Sequence, residues 1–478
     1  MGDELSATMG RNVMTAGDPP RVKVIQPTAL ESFAAGLAAI RIENVSDRAL
    51  EVARLDLMDA AGLCIAARNQ PYIRQLLDGL DAEGSTTILG HERALDAAGA
   101  ALVNGTAIHG EDFDDTLEGS PMRVAAVVVP AVLAVSERYG LSGAAALRGL
   151  VVGMETVCRI NRVSPGAIHR NGFHPVSILG VFGAAAGVAG ALGLDAQQMA
   201  TALSVAGSFS SGTLAYLDDG SWTKRLHPGW ASQAGYRAAL LGRSGFSGPR
   251  FLFDGEHSVF RAFAHGATQD LEALGDGLGS EWLLEKIAFK PYPCGTMIHP
   301  YIDCMIELRG TGVRADDIVS IESATAAAIV DRLWEPLPLK RRPATGYAAK
   351  FSFPYCMAAG FVRGEVGLAS FSDEAAADPA VRRLAEKISY VIDPHTEYPR
   401  NYAGHIRVRY ADGTSTEIRR PHLRGGSREP LDTDELTAKF RANALHGGWS
   451  PERAESLRRF CLGPESVADM RVLAAYRG

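Results

Sequence analysis

The densest group of reactive side chains lies between Asn104 and Thr116, in the sequence NGTAIHGEDFDDT. A histidine, four acids and a threonine fall within residues 109–116 of this run. In a helix, His109, Asp112 and Thr116 would share one face, while Asp114 and Asp115 would point elsewhere. Carboxylates this close together repel one another, so cations, caps or a ligand must offset them. The alternative is an acidic helix start, which the N-terminal helix dipole favours.

Three further candidates lie at positions 174 to 227. His174 precedes Pro175, which predicts a loop or a helix start inside apolar sequence. Lys224 and His227 are three residues apart, so they are neighbours if the segment is helical. The plain alternatives are a satisfied core histidine at position 174 and a solvated lysine at position 224.

Lys290 stands in the sequence KPYPC, before two prolines that hold the backbone away from helical geometry. A cation on such a stiff segment is well placed to meet an anion. His299 follows on a predicted helix as a less certain companion. Tyr355 begins another apolar helix, where packing of the ring in a core is the alternative to a role in a site.

Composition restricts the class of protein. The chain has 478 residues, 46% of them hydrophobic and 22% charged, which is enough for one large core or two to three smaller ones. A net charge of -7 offers no basic stripe for phosphates, so nucleic acid is not an expected partner. The six cysteines have no CxxC spacing, which predicts reduced, mostly buried thiols and a cytoplasmic protein.

No motif predicts a metal or a cofactor. The sequence lacks convincing zinc-ligand spacing, a cysteine trio for an iron-sulfur cluster, and both phosphate-binding glycine motifs. Residues 178–194 are apolar and free of charge, but they are chiefly alanine and glycine and fall at the short end of the spanning range. They predict a buried helix, and no membrane partner is expected.

Hydrophobic periodicity predicts the elements that position these residues. Residues 1–27 are polar and predict a flexible N-terminal arm without a signal peptide. Residues 28–285 read as a helical domain, with paired antiparallel helices over 29–67 and helices over 93–107, 125–139, 143–159 and 196–206. Strand-like segments at 318–325 and 405–413 predict an α+β part over 286–427, and helices return over 428–478.

Seven ordered blocks carry a resemblance to a known family. They are HGEDFDDT at 109–116, NGFHPVS at 171–177, LGLDAQQ at 192–198, WTKRLHPGWASQAG at 222–235, GFSGPRFLFDG at 245–255, KPYPCGTMIHPYID at 290–303 and AKFSFPYCMA at 349–358. The chain resembles the MmgE/PrpD family, which includes 2-methylcitrate dehydratase, cis-aconitate decarboxylase and iminodisuccinate epimerase. The resemblance implies a large helical domain, a smaller α+β lid, an active site in the cleft between them, and a homodimer.

The same resemblance assigns expected roles to individual residues. Five are expected to be catalytic: Asp112, His174, Lys224, Lys290 and Tyr355. Five are expected to bind substrate: His109, Thr116, Arg123, His227 and His299. Lysines beside acid-base groups suit a small polycarboxylate, because they bind its carboxylates and stabilise the charge created by proton removal.

The leading hypothesis is a cofactor-independent lyase that dehydrates a 2-methylcitrate-like substrate, with Asp112 or His174 as base. The alternatives are an epimerase of an imino- or amino-dicarboxylate, a cis-aconitate decarboxylase, and a catalytically silent binding module.

One departure from the family pattern bears on the reaction. Dehydratase and decarboxylase members carry a histidine shortly after the DFDDT motif, where this chain has Met122 and Arg123. Methionine cannot titrate, and arginine is a permanent cation. The proton transfer of that histidine is therefore absent or performed by another group, and Arg123 is expected to act as a carboxylate anchor instead.

Overall fold

The structure is a computed structural model that describes residues 26–478. Nearly all of the arm predicted over residues 1–27 lies outside this range. Within it, the helices are α1 Ala29–Ala39, α2 Asp47–Ala67, α3 Pro71–Asp78, α4 Ala97–Gly110, α5 Ala125–Tyr139, α6 Gly143–Ile160, α7 Ala167–Arg170, α8 Pro175–Leu192, α9 Ala196–Ala206, α10 Tyr216–Asp219, α11 Thr223–Arg243, α12 Val259–Phe263, α13 His299–Gly310, α14 Val330–Leu333, α15 Leu337–Arg341, α16 Gly346–Ala349, α17 Phe353–Arg363, α18 Asp373–Ala376, α19 Pro379–Ala385, α20 Thr433–His446 and α21 Pro451–Leu462. The strands are β1 Thr86–Thr87, β2 Ala94–Leu95, β3 Thr116–Leu117, β4 Ile287–Ala288, β5 Ile318–Thr325, β6 Ile388–Ile392, β7 Gly404–Tyr410 and β8 Ser415–Arg420.

The predicted class, mostly α with an α+β part, is confirmed. One hydrophobic core is built from residues 30–289 and from residues 431–473, so the C-terminal helices pack with the N-terminal ones. A second core contains residues 292–418. The chain therefore leaves the first core once and returns to it.

Helix α8 forms the centre of the first core. It is long and apolar enough to cross a membrane by length and composition, yet 94% of it is buried inside the protein. Helices α6 and α11 pack along it, and its alanines and glycines allow that close contact. It is a core helix, as the sequence predicts.

Two contacts position the candidate site residues. Helix α4 crosses α11 where Gly105 meets Gly229, and an added Cβ on Gly105 would lie 2.7 Å from the Gly229 Cα. No larger residue fits at this crossing. Strand β3 pairs with β4 through Thr116 and Ala288, which brings the acidic motif beside the segment that leads to Lys290. Residues separated by more than 170 positions are thereby joined.

The α+β part contains a four-stranded sheet in the order β6-β5-β7-β8. Strands β5 and β6 are parallel, whereas β5–β7 and β7–β8 are antiparallel. Alternating burial along β7 directs Ile406 and Val408 into the second core, where α13 covers the sheet and α17 packs on α13. Both predicted strands are confirmed, including the Asp412-Gly413 turn that joins β7 to β8.

Some local predictions need correction. The helix expected from residue 93 begins at Ala97, because Ala94–Leu95 pairs with β1 first. Helices α1 and α2 do not pack as a hairpin: α1 lies mainly on α9, and α2 lies mainly on α20. The predicted caps Ser46 and Asp195 are confirmed, and all six cysteines are free and buried.

Candidate active site

The acidic motif is a helix end rather than a continuous helix or a helix start. Helix α4 stops at Gly110, and Asp112 adopts the left-handed conformation with φ 55°. A non-glycine residue pays a conformational cost there, which aspartate bears better than most residues do. His109, Asp112 and Thr116 therefore do not lie on one face of a helix, and that prediction is wrong. The tight turn nevertheless brings His109, Asp112 and Thr116 to one cavity.

Asp112 is held between two lysines from distant parts of the chain. Lys224, in the first turn of α11, forms an ion pair with its Oδ2. The Nζ of Lys290 lies 3.6 Å from Oδ1 and donates to the Asp112 carbonyl at 2.6 Å. All three side chains are buried. Burial opposes ionisation of Asp112, but the charges of Lys224 and Lys290 outweigh it and hold its pKa well below the usual range.

Lys290 has an unusual environment for a cation. Only 1% of it is exposed, and burial followed by the charge of Arg123 lowers the pKa of its amine to about 7. Its remaining hydrogen bond goes to the Cys294 carbonyl at 3.1 Å. Lys290 can therefore gain or lose a proton near neutral pH.

His109 forms a dyad with Asp114. The helical interpretation of the motif predicted that Asp114 would point away from His109. The Nδ1 of His109 lies 2.7 Å from Asp114 Oδ2, and its Nε2 is buried without a partner among the described residues. Burial raises the pKa of Asp114, but His109 and Arg123 outweigh that effect and lower it. Arg123 also donates to Thr116 Oγ1 at 2.6 Å. The carboxylate fixes the histidine ring, so Nε2 is left for a ligand.

The other two acids of the motif are satisfied differently. Asp115 accepts hydrogen bonds from the backbone amides of Val124 at 2.9 Å and Ala125 at 3.0 Å, at the start of α5. Glu111 pairs with Lys350 at 3.0 Å. Cations, a histidine or backbone amides thus contact all four acids, but Asp115 is offset incompletely, because burial and the charge of Asp114 raise its pKa to about 7.

Two further histidines lie beside His109, with the centre of the His174 ring 5.9 Å from that of the His109 ring. His174 is the N-cap of α8, as its position before Pro175 predicts. Its Nδ1 lies 3.0 Å from the Nδ1 of His227, which is one helical turn beyond Lys224 on α11. One ring must donate and the other accept, so the tautomer of His227 sets that of His174. Burial, then the charges of His109 and His227, keep the pKa of His174 well below 6.5.

These groups surround a cavity of about 400 Å³. Its charged and polar lining is His109, Asp112, Thr116, Ser120, Arg123, His169, Arg170, His174, Tyr216, Lys224, Thr296, Arg332, Tyr398 and Tyr402. The lining has four cations and one carboxylate, and Lys290 lies directly behind them. The excess of positive charge suits an anion with more than one carboxylate.

Four predicted site residues do not line the cavity: Lys290 and His227, which contact residues that do, and Tyr355 and His299. Tyr355 is fully buried in the second core, and its hydroxyl donates to the Ser370 carbonyl at 2.6 Å. His299 lies at the start of α13 with Nε2 3.3 Å from the Cys294 carbonyl, so its backbone contact lies beside that of Lys290. Met122 is fully buried, whereas the neighbouring Arg123 faces the cavity.

Sequence reasoning missed several lining residues. Tyr216 and Arg332 lie on short helices without any motif, and folding alone brings them to the cavity. The contact of Asp114 with His109 also lacks a sequence signal, because it depends on the turn that Asp112 makes after Gly110. Among the described residues, no group of three or more histidines, cysteines or acids could hold a metal ion.

Fold and site together define a two-core helical protein with a cationic, acid-base cavity for a small anion. Models of the MmgE/PrpD N-terminal domain and C-terminal domain match residues 31–272 and 292–459. The chain therefore belongs to the MmgE/PrpD family, and it is an enzyme of the lyase type that this family defines.

Individual relatives are similar along nearly the whole chain. Cis-aconitate decarboxylase of Mus musculus is 28% identical over 87% of this chain and 86% of its own length. The Homo sapiens protein of the same name is 26% identical over 93% of both chains. The mitochondrial 2-methylcitrate dehydratase of Yarrowia lipolytica is 25% identical over 86% of this chain and 83% of its own length.

Proposed function

We propose that this protein is a cofactor-independent hydro-lyase that dehydrates a small hydroxy polycarboxylate resembling 2-methylcitrate. The observation that carries the proposal is Asp112 between Lys224 and Lys290, facing two histidines that can accept protons. Binding and proton transfer are the two tasks that such a dehydration requires.

In the proposed reaction, a base removes a proton from the carbon next to a substrate carboxylate. The electron pair left behind spreads onto that carboxylate, and Lys224 and Arg123 stabilise its extra charge by charge-assisted hydrogen bonds. The pair then forms the carbon-carbon double bond as the hydroxyl leaves. An acid protonates the departing hydroxide to water; Lys290, with a pKa of about 7, lies behind the lining and would supply this proton through the Asp112 carboxylate, which it faces.

Of the two bases predicted from the sequence, His174 suits the role better than Asp112 does. Two lysines make Asp112 a weak base, because they stabilise its ionised form. His174 stays neutral at physiological pH, and the only partner of its ring among the described residues is at Nδ1, which leaves Nε2 toward the cavity. Asp112 is then the residue that holds both lysines in place.

Decarboxylation of cis-aconitate is the second candidate, and the similarity to the mouse and human decarboxylases favours it. That reaction breaks a carbon-carbon bond and must protonate the resulting carbanion. The histidine expected for this step is replaced by Met122 and Arg123. We rank dehydration first for that reason, and we keep epimerisation as a third alternative because it needs only proton removal and return.

A substrate screen distinguishes these reactions. Citrate, 2-methylcitrate, cis-aconitate and iminodisuccinate are each incubated with the protein while alkene absorbance, deuterium incorporation from deuterated water and carbon dioxide release are followed. Alkene formation from 2-methylcitrate is expected. Efficient carbon dioxide release with itaconate formation would make decarboxylase the correct assignment, and exchange without an alkene would identify an epimerase.

The decarboxylase alternative has its own variant test. Because Arg123 faces the cavity and Met122 does not, Arg123→His is the substitution that places an imidazole near the substrate. It should raise carbon dioxide release from cis-aconitate while leaving dehydration at or below its original rate. Met122→His, which buries a polar ring in the core, is the matched control and should not raise the release.

We also propose that the enzyme works without a metal, as a homodimer, in the cytoplasm. Dialysis against a chelator should leave turnover unchanged, and a loss restored by zinc or iron would refute this part of the proposal. Analytical ultracentrifugation of the purified protein tests whether it is a homodimer. Cell fractionation tests the location, since the name of the Yarrowia lipolytica relative places that protein in mitochondria.

A further inference from the structure

A second, larger chamber adjoins the candidate active site. Its volume is about 1140 Å³, and it shares Tyr216, Lys224, Arg332 and Phe351 with the inner cavity. These shared residues form a partition, with the inner cavity on one side and the outer chamber on the other. A solute can therefore occupy the outer chamber without touching His109, Asp112 or His174, which line only the inner cavity.

Arg225, next to Lys224 on α11, lines the outer chamber. Only 8% of the residue is exposed. Among the described residues its guanidinium makes no ion pair and no hydrogen bond, and its Nε is buried without a partner. Its two terminal nitrogens are open to the chamber, so an anion there would supply the acceptors that the described residues do not.

Aromatic rings hold the guanidinium without neutralising it. Its Cζ lies 4.3 Å from the centre of the Tyr72 ring and 4.1 Å from that of the Tyr347 ring. Cation-π contacts of this kind fix the group and favour its charge. Contacts on ring faces leave the N–H edge of the guanidinium for an acceptor, and this planar fork matches a carboxylate.

Four carboxylates line the chamber, those of Glu111, Asp219, Asp331 and Asp373, and among the described residues none of them pairs with Arg225. Glu111 pairs with Lys350 at 3.0 Å and accepts the Tyr72 hydroxyl hydrogen bond at 3.0 Å. Lys224 is paired with Asp112, and Lys340 donates to the carbonyls of Arg332 and Phe351. Among the buried cations of this wall, Arg225 is the one whose partner is missing from the described residues.

We propose that the outer chamber is a separate binding site for a carboxylate anion, with Arg225 as its principal ligand-binding residue. A carboxylate there would accept the in-plane hydrogen bonds of the guanidinium. The site does not depend on which reaction the inner cavity performs, because its argument uses binding groups only. Since the chamber borders the inner cavity at Lys224, it can hold a second anion while the first occupies that cavity.

Titration calorimetry with propane-1,2,3-tricarboxylate, which has no hydroxyl to eliminate, tests the site. The wild type is expected to bind two equivalents per chain, and Arg225→Gln is expected to bind one. Arg237→Gln is the matched control, because Arg237 lies on the same helix with a side chain that is 55% exposed, and it should retain both equivalents.

A crystallographic measurement covers the case in which Arg225→Gln folds poorly. Wild-type crystals soaked in bromide should show an anomalous peak beside the Arg225 guanidinium, in addition to any peak near Lys224. Three results would overturn the proposal: the same number of equivalents in the wild type and in a folded Arg225→Gln, no binding by the wild type, or bromide at the inner cavity alone. A change in oligomeric state caused by Arg225→Gln would also overturn it, since a second copy of the chain would then cover the chamber.

Discussion

Two groups of charges in this protein are both buried and differ in what surrounds them. Glu155 and Arg159 lie one turn apart on α6, both fully buried, with Arg159 Nε 2.6 Å from Glu155 Oε1. Every remaining polar atom of the pair has a partner: Arg159 donates to backbone carbonyls between residues 274 and 281, and Glu155 accepts from the Leu284 amide at 3.0 Å. This pair joins α6 to residues 274–284 and does not line the cavity around Asp112.

The group around Asp112 is also buried but is incompletely satisfied. It combines a left-handed aspartate, a lysine whose pKa falls to about 7, and a histidine Nε2 without a partner among the described residues. Strain and unsatisfied atoms are typical of a place where a ligand completes the set of contacts. Buried charges alone therefore do not indicate a ligand-binding site. Buried charges that lie beside a cavity and have unused hydrogen-bonding atoms do indicate one.

The largest expected effect tests the structural side of the comparison. Arg159→Ala leaves Glu155 buried without its cation, so the free energy of unfolding should fall by ~3 to 5 kcal/mol in urea titrations. Activity per folded molecule should stay close to that of the wild type, because the pair lies away from the cavity. A large loss of activity at unchanged stability would contradict the assignment of this pair to structure.

Lys224→Ala should show the opposite behaviour. Removal of a preorganised cation from the cavity should lower kcat/KM by an amount that corresponds to ~2 to 4 kcal/mol of transition-state stabilisation. Thermal unfolding should change little, since Lys290 still faces Asp112. The exposed Lys286→Ala is the matched control and should retain wild-type kinetics. Unaltered kinetics in Lys224→Ala would show that this cation only balances Asp112.

The sequence predicts the fold better than it predicts the site. Helices α5, α6 and α9 match their expected bounds within a residue, because hydrophobic period and caps are local signals. Asp114 was misplaced because one left-handed residue, Asp112, redirects the chain, and no periodicity reports a single φ angle. Tyr216 and Arg332 carry no local signal at all, since only the packing of distant helices brings them to the cavity.

Lys290 should make the stability of the protein depend on pH near neutrality, which the Glu155–Arg159 pair is not expected to do. Its pKa is lowered from 10.5 to about 7 in the folded state, so above pH 7 the unfolded chain binds a proton that the folded chain has lost. Stability must then rise with pH. The stability of the wild type relative to Lys290→Met should increase by roughly 2 to 3 kcal/mol between pH 7 and pH 9.

This dependence is measured by urea unfolding at several pH values. Lys286→Met, which removes an exposed lysine, should show a constant difference from the wild type over the same range. If the difference in unfolding free energy between the wild type and Lys290→Met is also constant with pH, Asp112 keeps Lys290 charged over the whole range. Lys290 would then be an anchor for carboxylates, and its proposed role as an acid would be withdrawn.

The smallest expected effect concerns His227, which acts through another residue. Its Nδ1 meets the Nδ1 of His174 at 3.0 Å, so it selects the tautomer that presents Nε2 of His174 as a base. His227→Leu removes this selection but leaves the base itself in place. We expect kcat to fall by about tenfold, which is only part of the ~10²- to 10⁴-fold typical of general acid-base catalysis, and KM to change little.

A conservative variant separates positioning from packing at this residue. His227→Asn keeps a hydrogen-bonding group near the position of Nδ1 and should recover most of kcat, whereas a purely structural role would make it no better than His227→Leu. Because the pKa of His227 is lowered to about 4, chiefly by burial, the ring is neutral throughout the assay range. The effect of His227→Leu on kcat should therefore be the same from pH 6 to pH 8. An effect that disappears above pH 7 would instead show that His227 acts through its charge, and the two histidines would have to be treated as a titrating pair in contact with the Asp112 cluster.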